Sequence, residues 1–417
     1  MFPKNHPGPG VRLSLFGKYG VNLGNAMEIQ GQVTLKKGRE ASARRFHPWI
    51  FSGAIQSVEG DPPNGAWVGV KDASGNVLGH GHFQKGTITV RLLSFSANPP
   101  MADFYGDRIG EAWLQRTNTG VAGQSTNCYR LVHGEGDGLS GLIIDWYHGV
   151  AVIQAHSAGM HNDRGHIRGA LLQLMKLDLT AVYYKGMSAG DGKSDSEYLH
   201  GMGVLPHIVL EHGHKFQVDW EAGQKTGFFL DQRENRRLLS KYAGGRSVLN
   251  TFCYTGGFSV YALQAGAKVV HSIDASERAI GLARQNIVLN GFDAAFHECI
   301  VGDTFDFLKD KNDRYDLIIL DPPAFAKHKE ARHQAMKGYQ RLNAEAMRVI
   351  RRGGILFTFS CSQVVDRQLF YDTVVSAGIQ SGREVQVLHS LCQPSDHPVS
   401  LYHPEGEYLK GLVLYVR

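Results

Sequence analysis

Apolar positions alternate in short runs over the first quarter of the chain and then settle into a longer rhythm of strand and helix. From Glu28 to about Pro100 the runs IQGQVTLKKG, PWIFSGAIQSV, WVGVKDASGNVLGHGHF and TITVRLLSF are broken by turn signals at Ser74-Gly75-Asn76 and Lys85-Gly86. That pattern predicts a small β-barrel or sheet. Residues 101–125 are apolar at helical spacing and predict a helix joining two domains. From Cys128 to about Trp220 strands alternate around one helix near Asn162–Leu177, an α+β pattern. Beyond Gly223, GQKTGFFLDQRENRRLL runs into a helix, and then the strand–helix unit repeats. Predicted strands start at Ser247, Ala267, Phe296, Tyr315 and Gly353, with helices over Ser276–Asn290, capped by Ser276, and through Arg341–Ile350. The tail from Glu384 reads as two strands joined by a Pro/Gly loop. Five strand–helix units followed by a hairpin predict a doubly wound α/β sheet with an antiparallel edge. The expected division is an extension over 1–26, a β domain over 27–104, a middle domain over 105–222 and the α/β domain over 223–417. Residues 1–26, rich in Gly, Pro and Asn, are expected to be disordered, which makes Met27 the expected natural start.

Composition narrows the class. With 42% hydrophobic and 20% charged residues, the 417-residue chain can bury full cores. No apolar run nears the ~18 residues of a membrane helix, and the N-terminus lacks the apolar block of a secretory signal. Five scattered cysteines form neither a disulfide framework nor a CxxC metal pair, so a reduced, cytoplasmic protein is expected. The first 104 residues carry 11 Lys+Arg against 6 Asp+Glu, and the rest carry 33 of each. The whole net charge of +5 therefore sits in the first quarter of the chain, the pattern of a polyanion-binding module beside a neutral catalytic one. Lys36, Lys37 and Arg39, with Arg44 and Arg45, precede the aromatic stretch His47-Pro48-Trp49, a combination that suits phosphates and stacked bases. His80/His82 and His212/His214 alternate on apparent strands without partners at ligand spacing. They are expected to be exposed strand histidines, with no metal.

The chemistry centres on Arg246 to Asp274, RSVLNTFCYTGGFSVYALQAGAKVVHSID. A strand ends in the pair Gly256-Gly257, a helix follows, and the next strand closes on Asp274, where an acid can accept both hydroxyls of a ribose. GxGxxG is absent, so a pyrophosphate is not indicated. A nucleoside without phosphates fits better, and S-adenosylmethionine is the obvious one. Later strands end at Asp303, at Asp321-Pro322-Pro323 and at Cys361. A thiolate adding to carbon 6 of cytosine would turn carbon 5 into an enamine able to attack a sulfonium methyl. Asp321 is placed to bond ring nitrogen 3.

The stretches KKGRE and HPWIFSGAI resemble the PUA domain, an RNA-binding barrel. GQKTGFFLDQR, FCYTGGF, LDPPAF, FSCS and DHP…GEYLKGLVLYV are similar to the RlmI-like group of large-subunit rRNA cytosine-5 methyltransferases, over residues 27–417. The resemblance implies a class I methyltransferase fold. It implies S-adenosylmethionine held by Gln224, Thr226, Phe252, Cys253, Tyr254, Thr255, Gly256, Gly257, Asp274, Ala275, Asp303, Thr304 and Asp321. It also implies Cys361 as nucleophile with Asp321 beside it, a target base near Pro322, Pro323 and Phe325, and RNA, 23S rRNA above all, as partner. The DPPAF loop carries no second cysteine, so the base that removes the carbon-5 proton is unassigned. Two alternatives stand: an exocyclic-amine (guanine-N2 or adenine-N6) enzyme using DPPAF, and a noncatalytic RNA-binding assembly factor. The oligomeric state is open, a homodimer included.

Overall fold

The computed structural model describes residues 26–175, 178–186, 195–309, 314–326 and 328–417. The extension expected to be disordered lies, but for Ala26, outside them. No described helix is long and apolar enough to cross a membrane.

The alternating runs form β1 (Gly31–Leu35), β2 (Trp49–Phe51), β3 (Ile55–Glu59), β4 (Trp67–Lys71), β5 (Val77–Phe83) and β6 (Ile88–Ser94), with the short helix α1 (Ala41–Arg44) after β1. They make one sheet in the order β2-β6-β5-β4-β1-β3. Its two edge strands, β2 and β3, are separated in sequence by three residues, so the sheet's ends are drawn toward each other around Val33, Leu35, Ile50, Val68, Val70 and Val90. His80 and His82 are inside this domain, 3% and 2% exposed, which corrects the expectation of exposed histidines. Asp163 explains His82: its Oδ2 lies 3.1 Å from His82 Nε2 and accepts from Trp67 Nε1 and Tyr105 Oη at 2.9 and 2.6 Å. One buried carboxylate thus ties the first sheet to the next unit.

That unit comprises α2 (Phe104–Asn118), β7 (Cys128–His133), β8 (Leu142–Tyr147), β9 (Val150–Ala155), α3 (Ala158–Asn162), α4 (Arg164–Leu174), β10 (Ala181–Tyr184) and β11 (Glu197–Gly201). The sheet runs β11-β10-β9-β8-β7. Helix α2 is more than a connector, because Phe104, Tyr105, Ile109 and Ala112 are part of the core beneath this sheet. The run IVLEHGHKFQVDW is two strands, β12 (His207–Glu211) and β13 (His214–Val218). His212 and Gly213, at φ 48° and 83°, form the two-residue turn, since positive φ at both positions matches the strand twist. His212 therefore lies off the strand, and neither it nor the half-buried His214 is an exposed strand histidine. The hairpin packs on the third unit: Val209, Phe216 and Val218 share a core with Val260 and Tyr261.

The third unit follows the predicted rhythm through α5 (Arg233–Ala243), β14 (Ser247–Thr251), α6 (Gly257–Gln264), β15 (Val269–Asp274), α7 (Glu277–Leu289), β16 (His297–Val301), α8 (Thr304–Leu308), β17 (Tyr315–Leu320), α9 (Arg332–Val349), β18 (Ile350–Ser360), α10 (Arg367–Ser381), β19 (Val385–Leu391) and β20 (Lys410–Val416). Ser276 caps α7 as expected, accepting from the Ala279 amide. The sheet order is β16-β15-β14-β17-β18-β20-β19. The antiparallel strand is not at the edge. β20 inserts between β18 and β19, where its run KGLVLYV is almost wholly buried, and the more polar β19 takes the edge.

The second and third units meet on Asp396, in the loop before β20. Arg233 donates to both its oxygens at 2.9 and 2.8 Å, and the Arg130 amide donates to Oδ2 at 3.0 Å. Arg116 of α2 reaches the Asp396 carbonyl at 2.9 Å while gripping both oxygens of Asp137. The contact is close enough that a Cβ at Gly136 would sit 1.9 Å from the Pro398 carbonyl oxygen. Burial alone would raise the Asp396 carboxyl, but His397 and Arg233 outweigh it and hold it well below the usual carboxylate range. Asp396→Ala would strand a buried guanidinium, with an expected loss of about 3–5 kcal/mol in denaturant unfolding at neutral pH. Because the folded-state carboxyl is depressed, its contribution is full above about pH 4 and falls as pH drops below that. The variant's stability should therefore vary less with acid than the wild type's.

Candidate active site

Beyond the carboxyl ends of β14 to β18, the loops enclose a cavity of about 310 Å³. Phe252, Cys253, Tyr254, Thr255 and Gly257 line it from the loop after β14, Asp274 and Ala275 from β15 and the residue after it, and Asp303 and Thr304 from the turn after β16. Asp321, Pro322 and Pro323 follow β17, Cys361 follows β18, and Gln224, Lys225, Asp231 and Gln232 come from the segment before α5. A larger cleft of about 420 Å³ lies between the first sheet, α2 and Tyr402. Its acids are already engaged: Glu135 accepts from Trp49 Nε1 and Ser140 Oγ, and Asp137 from Arg116.

The wall formed by the CYTGGF loop is shaped by backbone. Gly256 (φ 76°) turns the chain into α6 so tightly that a Cβ there would lie 3.0 Å from Ala283 Cβ. Lys225, Phe252 and Tyr254 also adopt positive φ, at 49°, 53° and 46°, a concentration of backbone strain around one cavity. Asp274 Oδ2 accepts from the Tyr254 amide at 3.0 Å and Oδ1 from the Ser276 amide at 2.9 Å, which fixes the carboxylate and leaves lone pairs for hydroxyls. Asp303 caps α8 through the Asp306 amide. The basic side chains lining the cavity are Lys225 and Arg236, and Arg236 is spent on Glu211, donating to its two oxygens at 2.8 and 2.7 Å. Fixed acids with little free positive charge suit a nucleoside without phosphates.

The other wall holds Asp321 and Cys361. Gln232 Nε2 donates to Asp321 Oδ1 at 3.0 Å, and Asn235 fixes that amide by donating to Gln232 Oε1 at 2.7 Å. Burial, and then the charge of Asp231, push the Asp321 carboxyl up to about 7. Burial and the Asp321 charge push the Cys361 thiol up to about 11, against the pull of Lys225 and Lys410. Lys410, 2% exposed and opposite Ser360 in the sheet, donates to the carbonyls of Ser362 and Tyr408 at 2.6 and 2.8 Å, and burial brings it down to about 8.

Three residues read as site members lie off the cavity wall. Gly256 is behind the loop it shapes. Thr226 is buried and donates to Asp145 Oδ2 at 2.5 Å, joining the motif to the middle sheet. The Phe325 ring packs on Tyr339 with centroids 4.6 Å apart, against α9. Lys36, Lys37 and Arg39 are exposed after β1, in the first sheet's unit. Lys225, Asp231, Gln232 and Lys410 line or flank the cavity and were not singled out from the sequence. All four lie within GQKTGFFLDQR or GEYLKGLVLYV, so the motifs were legible while these side chains' directions were not. His47, His403 and Glu405 lie close enough together to hold a cation. His47 Nδ1 accepts from the Trp49 amide, which leaves the proton on Nε2, facing Glu405. A protonated Nε2 has no lone pair to offer an ion, and it lies 3.6 Å from Glu405 Oε1.

The family profile described as S-adenosylmethionine-dependent methyltransferase matches residues 129–399, and a PUA-like domain profile matches 33–95. Among curated proteins, ribosomal RNA large subunit methyltransferase I of Aeromonas hydrophila is 39% identical, covering 93% of this chain and 100% of its own length. The protein of the same name from Klebsiella pneumoniae (strain 342) is 37% identical over 92% and 98%. A Streptococcus mutans structure described as a SAM-dependent methyltransferase superposes with a TM-score of 0.79 at 24% identity, over 93% of this chain and all of that one. A crystal structure described as a methyltransferase complexed with SAH gives 0.80 at 24% identity, with the same coverage. S-adenosylmethionine is the cofactor these matches share with the cavity's chemistry. The chain belongs to the S-adenosylmethionine-dependent methyltransferases and, among them, to the ribosomal RNA large subunit methyltransferase I family.

Proposed function

We propose that the chain methylates carbon 5 of a cytosine in large-subunit (23S) rRNA, in the cytoplasm, through a covalent bond between Cys361 and the base. The observation that carries this reading is the meeting of Cys361 and Asp321 in one cavity with Asp274 and the CYTGGF loop. Bound S-adenosylmethionine supplies an electrophilic methyl group. Asp321, near 7, is partly protonated at neutral pH and can give its proton to ring nitrogen 3 as Cys361 sulfur bonds to carbon 6. The thiol sheds its own proton to water before it attacks, a loss that Lys225 and Lys410 favour and that neutralising Asp321 eases. The target base must leave its stack to reach the cavity, and the basic residues after β1 are the RNA-holding surface of this reading. The amine-methylating alternative needs an aromatic against the base, and Phe325 is committed to Tyr339. Cys253 is buried against Ile280 and Ala283 with its thiol pushed up by burial, which suits packing rather than reaction.

Wild-type enzyme given labelled cofactor and undermethylated rRNA should yield labelled 5-methylcytosine on nucleoside analysis, and Cys361→Ala should yield none. Equal labelling of an amino group by both would sink the reading. Asp274→Ala removes hydrogen bonds to a charged acceptor, with an expected loss of about 1.5–3 kcal/mol in cofactor binding, or roughly ten- to a hundredfold in Kd by calorimetry. Replacing Lys36, Lys37 and Arg39 together should weaken RNA binding and flatten its log–log salt slope by up to about 2. An unchanged slope would remove that patch from the interface.

A further inference from the structure

We propose that Asp231 is the base that takes the proton from carbon 5 after methyl transfer, an assignment that rests on the cytosine reading above. The chemistry requires one. Once the methyl is on carbon 5 and Cys361 is on carbon 6, the carbon-5 proton must leave before the product can. The C5–H electron pair becomes the C5–C6 double bond, and the C6–S pair returns to Cys361. Nitrogen 3 gives its proton back to Asp321, and the carbon-5 proton passes to Asp231 and on to water.

Among the lining carboxylates and thiols, elimination points to this residue. Cys253 is packed away from reaction. Both oxygens of Asp274 are held by backbone amides at the ribose position. Asp303 is exposed and caps α8. Lys410 is engaged with two carbonyls. Asp231 is 7% exposed, lines the same cavity as Cys361, and is held through Oδ2 by the Tyr408 hydroxyl at 2.7 Å. Its Oδ1 is buried with no hydrogen-bond partner among the described residues. An unpartnered buried acceptor at a reactive site is the mark of a group kept for a ligand or a proton. Its neighbour Gln232 holds Asp321, so one short segment positions both acids.

The environment also separates their roles. Burial would raise Asp231, but Lys225, His397, the Tyr408 hydrogen bond and Arg130 outweigh it and keep the carboxyl below its ordinary range. Asp321, facing the charge of Asp231, is pushed up to about 7. Two carboxyls driven apart in this way are an acid and a base.

The test uses the full-length enzyme, S-adenosylmethionine carrying a labelled methyl, and undermethylated rRNA bearing tritium at cytosine carbon 5. Asp231→Asn should bind cofactor normally and accumulate a Cys361-dependent, SDS-stable enzyme–RNA adduct containing the labelled methyl. Its tritium release should slow by about 10²–10⁴-fold. Tritium release at the wild-type rate, or loss of the adduct with cofactor binding intact, would overturn the assignment. Tyr408→Phe keeps the carboxylate but removes the bond that lowers it, so the acid limb of the tritium-release profile should move to higher pH. An unmoved limb would count against Asp231 even if the Asn variant failed to fold. Wild-type enzyme that methylates without releasing tritium would instead overturn the cytosine reading itself.

Discussion

A single buried carboxylate, Asp396, holds the molecule's parts in register. It is wholly enclosed and meets a guanidinium from α5 and a backbone amide from β7, while its own carbonyl takes a second guanidinium from α2. Such a charge is tolerable inside a protein only when every lone pair is engaged. The arrangement therefore fixes where α5 starts relative to the middle sheet. Lys225, Asp231 and Gln232 lie just before that start, and so this wall of the cavity takes its position from an ion pair outside the cavity.

Within the cavity, burial has opposite effects on neighbouring groups. It raises carboxyls and thiols and lowers ammonium groups, and the outcome at each residue depends on which fixed charges lie nearby. Asp231, surrounded by positive groups, stays ionised, and its charge is one reason Asp321 is only partly ionised at neutral pH. Cys361 sits between the acids and two lysines, so neutralising Asp321 removes part of what opposes its thiolate. These groups are coupled, and the charge of one shifts the protonation of the next.

Much of this was legible in the chain. Period-two runs and turn residues marked the first sheet, and the strand–helix rhythm marked the third unit down to the Ser276 cap. The misreadings have physical causes. The His212-Gly213 turn is only two residues long and leaves the apolar pattern of β12 and β13 nearly unbroken. Helix α10 passed unread although Asp366 caps it and Gly382 ends it in a left-handed conformation, because its apolar residues are spread around the helix. β20 belongs inside the sheet because it is apolar on both faces, whereas sequence order alone suggested a hairpin at the edge. At the site, the strand-end acids and Cys361 could be found because topology dictates where strand ends go. Thr226 and Phe325 could not be placed, because their side-chain directions depend on Asp145 and Tyr339, partners distant in sequence or on another element.

The contacts around Asp396 join residues 163 and 280 positions apart, and β20 completes the sheet only after β19 has been bypassed. Closing loops of that length costs chain entropy before any contact rewards it, which slows assembly. The local β units can collapse early, while the segment bearing Asp231 waits for the last stretch of chain to arrive. Partly folded forms of this protein would thus be compact while the wall that sets Cys361 beside Asp321 stays unformed until assembly is complete.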